Sequence, residues 1–189
     1  FMLLSGTGHP TKHVIPTFEE MLVAAKDKII IDIDKGYEYY SEVLVELKKH
    51  NMLEQTILNI YGLPYDSLVA KHGNIPKELT LQLIINPKNP AIEKIIETYQ
   101  SHNRTIIQII FENDNAVILQ RIPELKKRYA IWFNSIWPEQ NGGHDDDKAV
   151  EENKPDQSWG WLVKHRPNFI QSDRPADLLN YLKQIGFHL

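Results

Sequence analysis

Thr80-Leu81-Gln82-Leu83-Ile84-Ile85, then Ala91-Ile92-Glu93-Lys94-Ile95-Ile96-Glu97-Thr98-Tyr99, then Thr105-Ile106-Ile107-Gln108-Ile109-Ile110-Phe111: this stretch decides the fold class. Its first and last segments are short apolar runs rich in β-branched residues, the mark of a buried strand. The middle segment places Ile92, Ile95, Ile96 and Tyr99 at i, i+3, i+4 and i+7, one face of a helix. Strand, amphipathic helix and strand in that order read as a unit of a parallel sheet, and such sheets are usually covered on both faces.

The same alternation extends in both directions. Upstream, Thr17 and Glu20 have capping-box spacing for a helix carrying Phe18, Met21, Leu22 and Ala25. Residues 29–34 read as a strand, Tyr40, Val43, Leu44 and Leu47 as a helix face, and 56–60 as a strand. Residues 64–72 then read as a helix stopped by Gly73. Downstream, 116–127 reads as a helix interrupted at Pro123, 129–136 as a strand and 169–172 as the last strand. Pro175 opens a final helix with Leu178, Leu179, Leu182 and Ile185 on its face, ended by Gly186. Residues 139–157 read as one long polar loop. Six strands alternate with helices, and no composition shift divides residues 1–189 into two domains.

Composition narrows the function. Of 189 residues, 42% are hydrophobic and 24% charged, a globular balance. Lys plus Arg is 21 and Asp plus Glu is 25, a net charge of −4, so no basic surplus is available to grip nucleic acid. Cysteine is absent, which removes disulfides, thiolate metal sites and cysteine nucleophiles. No apolar run reaches the length of a transmembrane helix. The chain begins Phe1-Met2-Leu3-Leu4, which reads as part of something longer.

Two architectures fit six strands: a doubly wound open sheet and a (β/α)8 barrel. No glycine-rich phosphate loop follows any strand, which weakens the nucleotide-binding open sheet. A barrel has eight strands in about 250 residues, so this chain would be an incomplete one, lacking the first strands.

Four groups of residues could carry chemistry. Asp32 and Asp34 share a strand face opposite the isoleucines, either as ligands for Mg2+ or Ca2+ or as a solvated strand end. His144-Asp145-Asp146-Asp147 reads either as a metal cluster or as a solvated loop tip. Trp132, Trp137, Trp159 and Trp161 could wall a lipid-like group or simply pack. Ser172-Asp173-Arg174-Pro175 sits at a strand-to-helix turn, where backbone N–H groups attract anions and Arg174 could add a phosphate contact, or where the segment merely caps the helix. The other histidines, His188 among them, are scattered along the chain.

Taken in order, these segments resemble the glycerophosphodiester phosphodiesterase family, specifically its later two-thirds. The resemblance rests on Ile15-Pro16-Thr17-Phe18-Glu19-Glu20, on Lys28 to Lys35, on Ile131-Trp132-Phe133-Asn134, and on Trp159-Gly160-Trp161-Leu162 with Ile170-Gln171-Ser172-Asp173-Arg174-Pro175. The last pair is the most specific, and the resemblance spans essentially the whole chain.

It implies a TIM-type barrel of the phospholipase-C-like phosphodiesterase kind. It also implies metal-dependent release of an alcohol and glycerol 3-phosphate from small glycerophosphodiesters. Asp34 takes the position of a metal-binding acid, with Asp32 as the ligand if the register slips by two. Lys35, Trp132, Asn134, Ser172 and Arg174 fall at substrate-binding positions. Gly36 stands where the family has Lys, and Tyr61 where related sequences often have Lys, both departures. The family's H-R-G motif, paired E-x-D acids and second histidine precede the segment resembled, so no catalytic acid/base pair is carried over.

The expectation is a chain inactive on phosphodiesters by itself, with open sheet edges that an upstream segment, a second chain or a second copy would pair. The alternative is a non-catalytic, degenerate barrel that binds a phosphate ester or another chain. The resemblance further suggests an exported bacterial protein.

Overall fold

The structure, a computed structural model, describes residues 2–4 and 7–187; Phe1 and His188 lie outside the described residues. A small antiparallel pair, β1 (Met2–Leu4) and β2 (Pro10–Val14), opens the chain and has no counterpart in the sequence reading. Then come α1 (Phe18–Ala25), β3 (Ile31–Ile33), α2 (Tyr40–His50), β4 (Thr56–Tyr61), α3 (Tyr65–His72), β5 (Thr80–Ile85), α4 (Ile92–Thr98) and β6 (Thr105–Ile109). They are followed by α5 (Val117–Gln120), α6 (Ile122–Leu125), β7 (Ala130–Asn134), α7 (Asp146–Val150), α8 (Trp159–Lys164), β8 (Phe169–Gln171) and α9 (Pro175–Gln184).

Strands β3 to β8 are all parallel and pair strictly in sequence order, curling into a half-barrel. That order has no reversal point, so the sheet is not doubly wound.

Local chemistry explains the boundaries. The Thr17 hydroxyl accepts from the Glu20 backbone N–H at 3.2 Å while the Glu20 carboxylate accepts from the Thr17 N–H at 2.7 Å, the reciprocal box that starts α1. Gly73 and Gly186 follow α3 and α9 with positive φ, a conformation glycine adopts without steric cost. Pro123 splits one helical stretch in two because it sits in the first turn of α6 and has no N–H for the preceding turn.

The sheet's two faces differ in chemistry. Leu58, Ile60, Leu81, Leu83, Ile85, Ile107, Ile109, Ile131 and Phe133 pack with helical side chains such as Leu22, Leu47, Leu68, Ile96 and Leu162 in one core. Each such side chain, fully buried, contributes roughly 1.5–3 kcal/mol. The opposite, concave face holds a cluster of strand residues alone, Ile57, Ile106 and Trp132, with Ala130 and Phe169 against it. Above that cluster the same face turns polar, with Asn59, Gln82, Gln108 and Asn134 all buried. The expectation of helices on both faces is therefore corrected. The inner face of a curled sheet is screened by the sheet's own curvature, and its polar residues hydrogen-bond one another, as Gln82 Nε2 does to Gln108 Oε1 at 3.0 Å.

The long loop expected at 139–157 is also corrected. It holds short 3-10 turns at Pro138–Gln140 and Pro155–Gln157 on either side of α7. The reason is Asp145, which caps α7 by accepting from the Lys148 N–H at 2.8 Å.

Candidate functional site

The carboxyl ends of the strands open on a cleft of about 180 Å3. Strand β3 and the turn after it bring Asp32 and Asp34; β4 brings Asn59 and Tyr61; β5 and β6 bring Ile84 and Gln108. The β7 end brings Asn134, Trp137 and Gln140, and β8 brings Gln171. The side-chain period of two that points the isoleucines into the helical core points these residues inward. Position at the carboxyl end of parallel strands is where barrels carry their chemistry.

Asp32 and Asp34 do lie together, as their spacing predicts. The walls of the concave face desolvate Asp32, and the Asp34 charge adds to this, so its carboxyl is pushed up to about 6. Tyr61 donates a short hydrogen bond to Asp34 Oδ1. Desolvation, and then that bond, hold the phenol far above its ordinary range, so it remains a donor. Gln171 Oε1 accepts from Trp132 Nε1 at 3.2 Å and from Asn134 Nδ2 at 3.3 Å, which ties β7 to β8 across the floor. Asn59 Oδ1 and Gln82 Oε1 are buried without a hydrogen-bond partner. Among the described residues, the lining carries two carboxylates and several amides, and no Lys, Arg or His stands in it. An oxygen-only donor set of two carboxylates and a buried, unpaired amide oxygen suits a hard divalent cation.

The other residues singled out by sequence fall elsewhere. Trp132 lies in the floor beneath the cleft, stacked on Phe169 at 5.0 Å between ring centroids. Lys35 is exposed, in a left-handed turn, and outside the cleft lining. Gly36 is buried, and a Cβ there would overlap Ile33 Cγ2 and come within 2.8 Å of Leu58 Cδ1, so no lysine fits at that position. Arg174 pairs with Glu151 at 3.1 Å on the surface.

Ser172 turns toward Asp146, which is the centre of a buried network. The Asp146 carboxylate accepts from Ser135 Oγ (2.6 Å), Trp159 Nε1 (2.8 Å), Ser172 Oγ (2.9 Å) and the Asp173 N–H (2.7 Å). The turn expected to attract an anion is thus occupied by the protein's own carboxylate. At residues 144–147 the expected solvated tip is corrected: His144, Asp145 and Asp146 are buried and engaged by protein groups, and Asp147 alone is exposed. Asp145 caps α7 and Asp146 is the hub. His144 stacks on Trp161 at 3.9 Å and contacts Asp114 and the Gln157 carbonyl.

An E-x-D triplet does occur, Glu112-Asn113-Asp114, but it follows β6, with Glu112 paired to Lys88 and Asp114 to His144. His9 and His13 stand four residues apart, but His13 lies in a strand, and extended chain separates such positions by about 13 Å. Among the described residues, the three-ligand group is Glu19, Glu46 and His50 on the outer surface, where Lys49 already pairs with both carboxylates.

Residues 82–182, from β5 through α9, match the model of a family described as a domain of unknown function, DUF4996. The chain belongs to that family. No curated protein matches it. The DUF4996 span contains Gln108, Asn134, Gln171 and the whole Asp146 network, whereas Asp32, Asp34, Asn59 and Tyr61 stand before it. Sequence reading missed Asn59, Gln108, Gln140 and Gln171. Asn59, Gln108 and Gln171 stand at the inward phase of their strands, as Asp32 and Asn134 do, whereas Gln140 lies in the turn Pro138–Gln140, outside any strand.

Proposed function

We propose that this DUF4996 chain is glycerophosphodiester phosphodiesterase-like: part of an eight-stranded TIM-type barrel whose mouth binds a divalent cation, Mg2+ or Ca2+, and through it the phosphate of a small glycerophosphodiester. The observation that carries the reading is the Asp32–Asp34 pair at the carboxyl end of an edge strand, facing a cleft that is lined, among the described residues, by no basic side chain. Without a cation those carboxylates repel a phosphate; with one they recruit it.

Asp34 and Asp32 would hold the cation, with Asn59 Oδ1 as a neutral third donor. A bound cation supplies Lewis-acid polarisation of the phosphoryl oxygens. Tyr61 fixes the Asp34 carboxylate by its hydrogen bond, and Gln171 orients Asn134 in the same cleft. Among the described residues, no histidine lines the cleft, so general acid/base groups for hydrolysis would come from outside these residues. That same observation favours the second reading, a degenerate barrel that binds a phosphate ester without turning it over.

The test is calorimetric titration of the chain with glycerol 3-phosphate, with and without Mg2+ or Ca2+. The expected result is uptake only in the presence of the cation, abolished by Asp34→Asn. Uptake that ignores the cation, or no uptake with it, overturns the proposal. Release of glycerol 3-phosphate from a glycerophosphodiester by this chain alone would refute the non-catalytic form of the reading.

A further inference from the structure

Away from the mouth, the first turn of α1 and the last turns of α2 bring three donor groups to one spot on the outer surface. Glu46 and His50 stand at i and i+4 on α2, so their side chains share a face. Glu19 meets them from α1. His50 Nε2 lies 3.3 Å from Glu19 Oε1 and 3.6 Å from Glu46 Oε2, and the three donor atoms all lie within 4.8 Å of one another.

We infer that Glu19, Glu46 and His50 form a site for a divalent cation of the Zn2+ class, which clamps α1 to α2. The site is separate from the strand-end cleft and does not rest on the phosphodiesterase-like reading.

The spacing is the first reason. Zinc holds nitrogen and oxygen donors at about 2.0–2.2 Å, and a tetrahedron of that radius sets its corners about 3.3–3.6 Å apart. Both distances from His50 Nε2 fall in that range. The nitrogen itself is the second reason. His50 Nε2 is buried without a hydrogen-bond partner, although two carboxylates stand beside it. A buried polar atom left unpaired is costly. Lys49 does not relieve it: its ammonium donates to Glu19 Oε1 at 2.7 Å and to Glu46 Oε2 at 3.4 Å, and so serves the oxygens. A metal ion serves all three atoms at once.

Lys49 marks the spot as one that attracts positive charge, and it is free to leave. It is half exposed, and exposed ion pairs of this kind are weak, so the ammonium swings into water when the cation arrives. The donor set decides the class of ion. One imidazole with two carboxylates suits Zn2+, whereas Mg2+ and Ca2+ take oxygen ligands. Three protein ligands leave the fourth corner to water. In the chain, α1 and α2 stand on either side of β3, so the clamp braces the edge strand that carries Asp32.

The experiment is calorimetric titration of the purified chain with Zn2+, in excess Mg2+ to occupy the mouth, with the thermal midpoint followed in parallel. The expected result is one Zn2+ bound per chain and a midpoint that rises with Zn2+ concentration. Glu19→Gln and His50→Ala should each weaken uptake at least about tenfold, since even the loss of a group behind a metal ligand costs that much. Lys49→Met should strengthen uptake about two- to fivefold, because it removes the competing ammonium. Asp34→Asn should leave it unchanged. Glu19 is exposed and Glu19→Gln keeps its shape, so that variant tests the site without disturbing the fold, which circular dichroism checks. No Zn2+ uptake overturns the inference. So does uptake indifferent to Glu19→Gln, uptake weakened by Lys49→Met, or uptake lost in Asp34→Asn instead.

Discussion

Replacing Asp146 by Ala deletes one carboxylate that four donors share. Hydrogen bonds to a charged group are worth about 1.5–3 kcal/mol each, and they are not additive. Two of the donors cannot adapt: the Trp159 indole N–H and the Asp173 backbone N–H only donate, and Asp146 is buried, so water does not replace it freely. The Ser135 and Ser172 hydroxyls can turn; Ser135 Oγ already reaches the Gln171 carbonyl at 2.7 Å. Two stranded donors at about 1–3 kcal/mol each, plus a cavity, give an expected loss of about 3–5 kcal/mol. Asp146→Asn keeps one oxygen. If it faces Ser135 and Trp159, its amide opposes the Asp173 N–H and strands that single donor, an expected loss of about 1–3 kcal/mol. Urea unfolding followed by tryptophan fluorescence measures both, with the midpoint falling and the slope unchanged. A loss below about 0.5 kcal/mol for Asp146→Ala would refute the view that this carboxylate joins the β7 and β8 loops.

Gly36→Ala should destabilise by about 1–3 kcal/mol through overpacking against Ile33 and Leu58, read from the same urea curves. Asp32 has a carboxyl pKa raised to about 6 from an unfolded value near 3.8, so the folded state holds its proton more tightly. Stability therefore declines as pH rises from about 4 to 6 and levels above that, and Asp32→Asn should flatten this part of the stability profile. In Asp34→Asn, the Asp32 carboxyl titration followed by NMR should move downward, because one of the two causes of its shift is gone. Trp159→Phe should cost about 1–2 kcal/mol by removing the indole donor to Asp146, and the loss should shrink when combined with Asp146→Ala.

All six strands of the parallel sheet were legible in the sequence, because fully buried parallel strands leave apolar runs and their helices leave a 3.6-residue period. The distinction between half-barrel and doubly wound sheet was only partly so. It depends on whether inward positions such as Gln82 and Gln108 meet helices or one another, and local periodicity does not encode that. Asp32 and Asp34 were found because carboxylates in an isoleucine strand stand out. The amides of Asn59, Gln108 and Gln171 were not, because one amide in a strand carries little signal until its neighbours are known. The His144–Asp147 stretch misled for a related reason. A run of charge reads as solvated, and only the arrival of Ser135, Trp159, Ser172 and Asp173 from three other segments explains a buried Asp146. The β1–β2 pair was missed because β2 is largely exposed and shows no apolar alternation.

The most direct measurement is anomalous scattering from a crystal of the chain grown with Mn2+, a hard cation that takes oxygen ligands. The account predicts a peak at the strand ends between Asp32 and Asp34, lost in Asp34→Asn. A peak only beside Glu19, Glu46 and His50 on the outer surface, or no peak at the mouth, would contradict it.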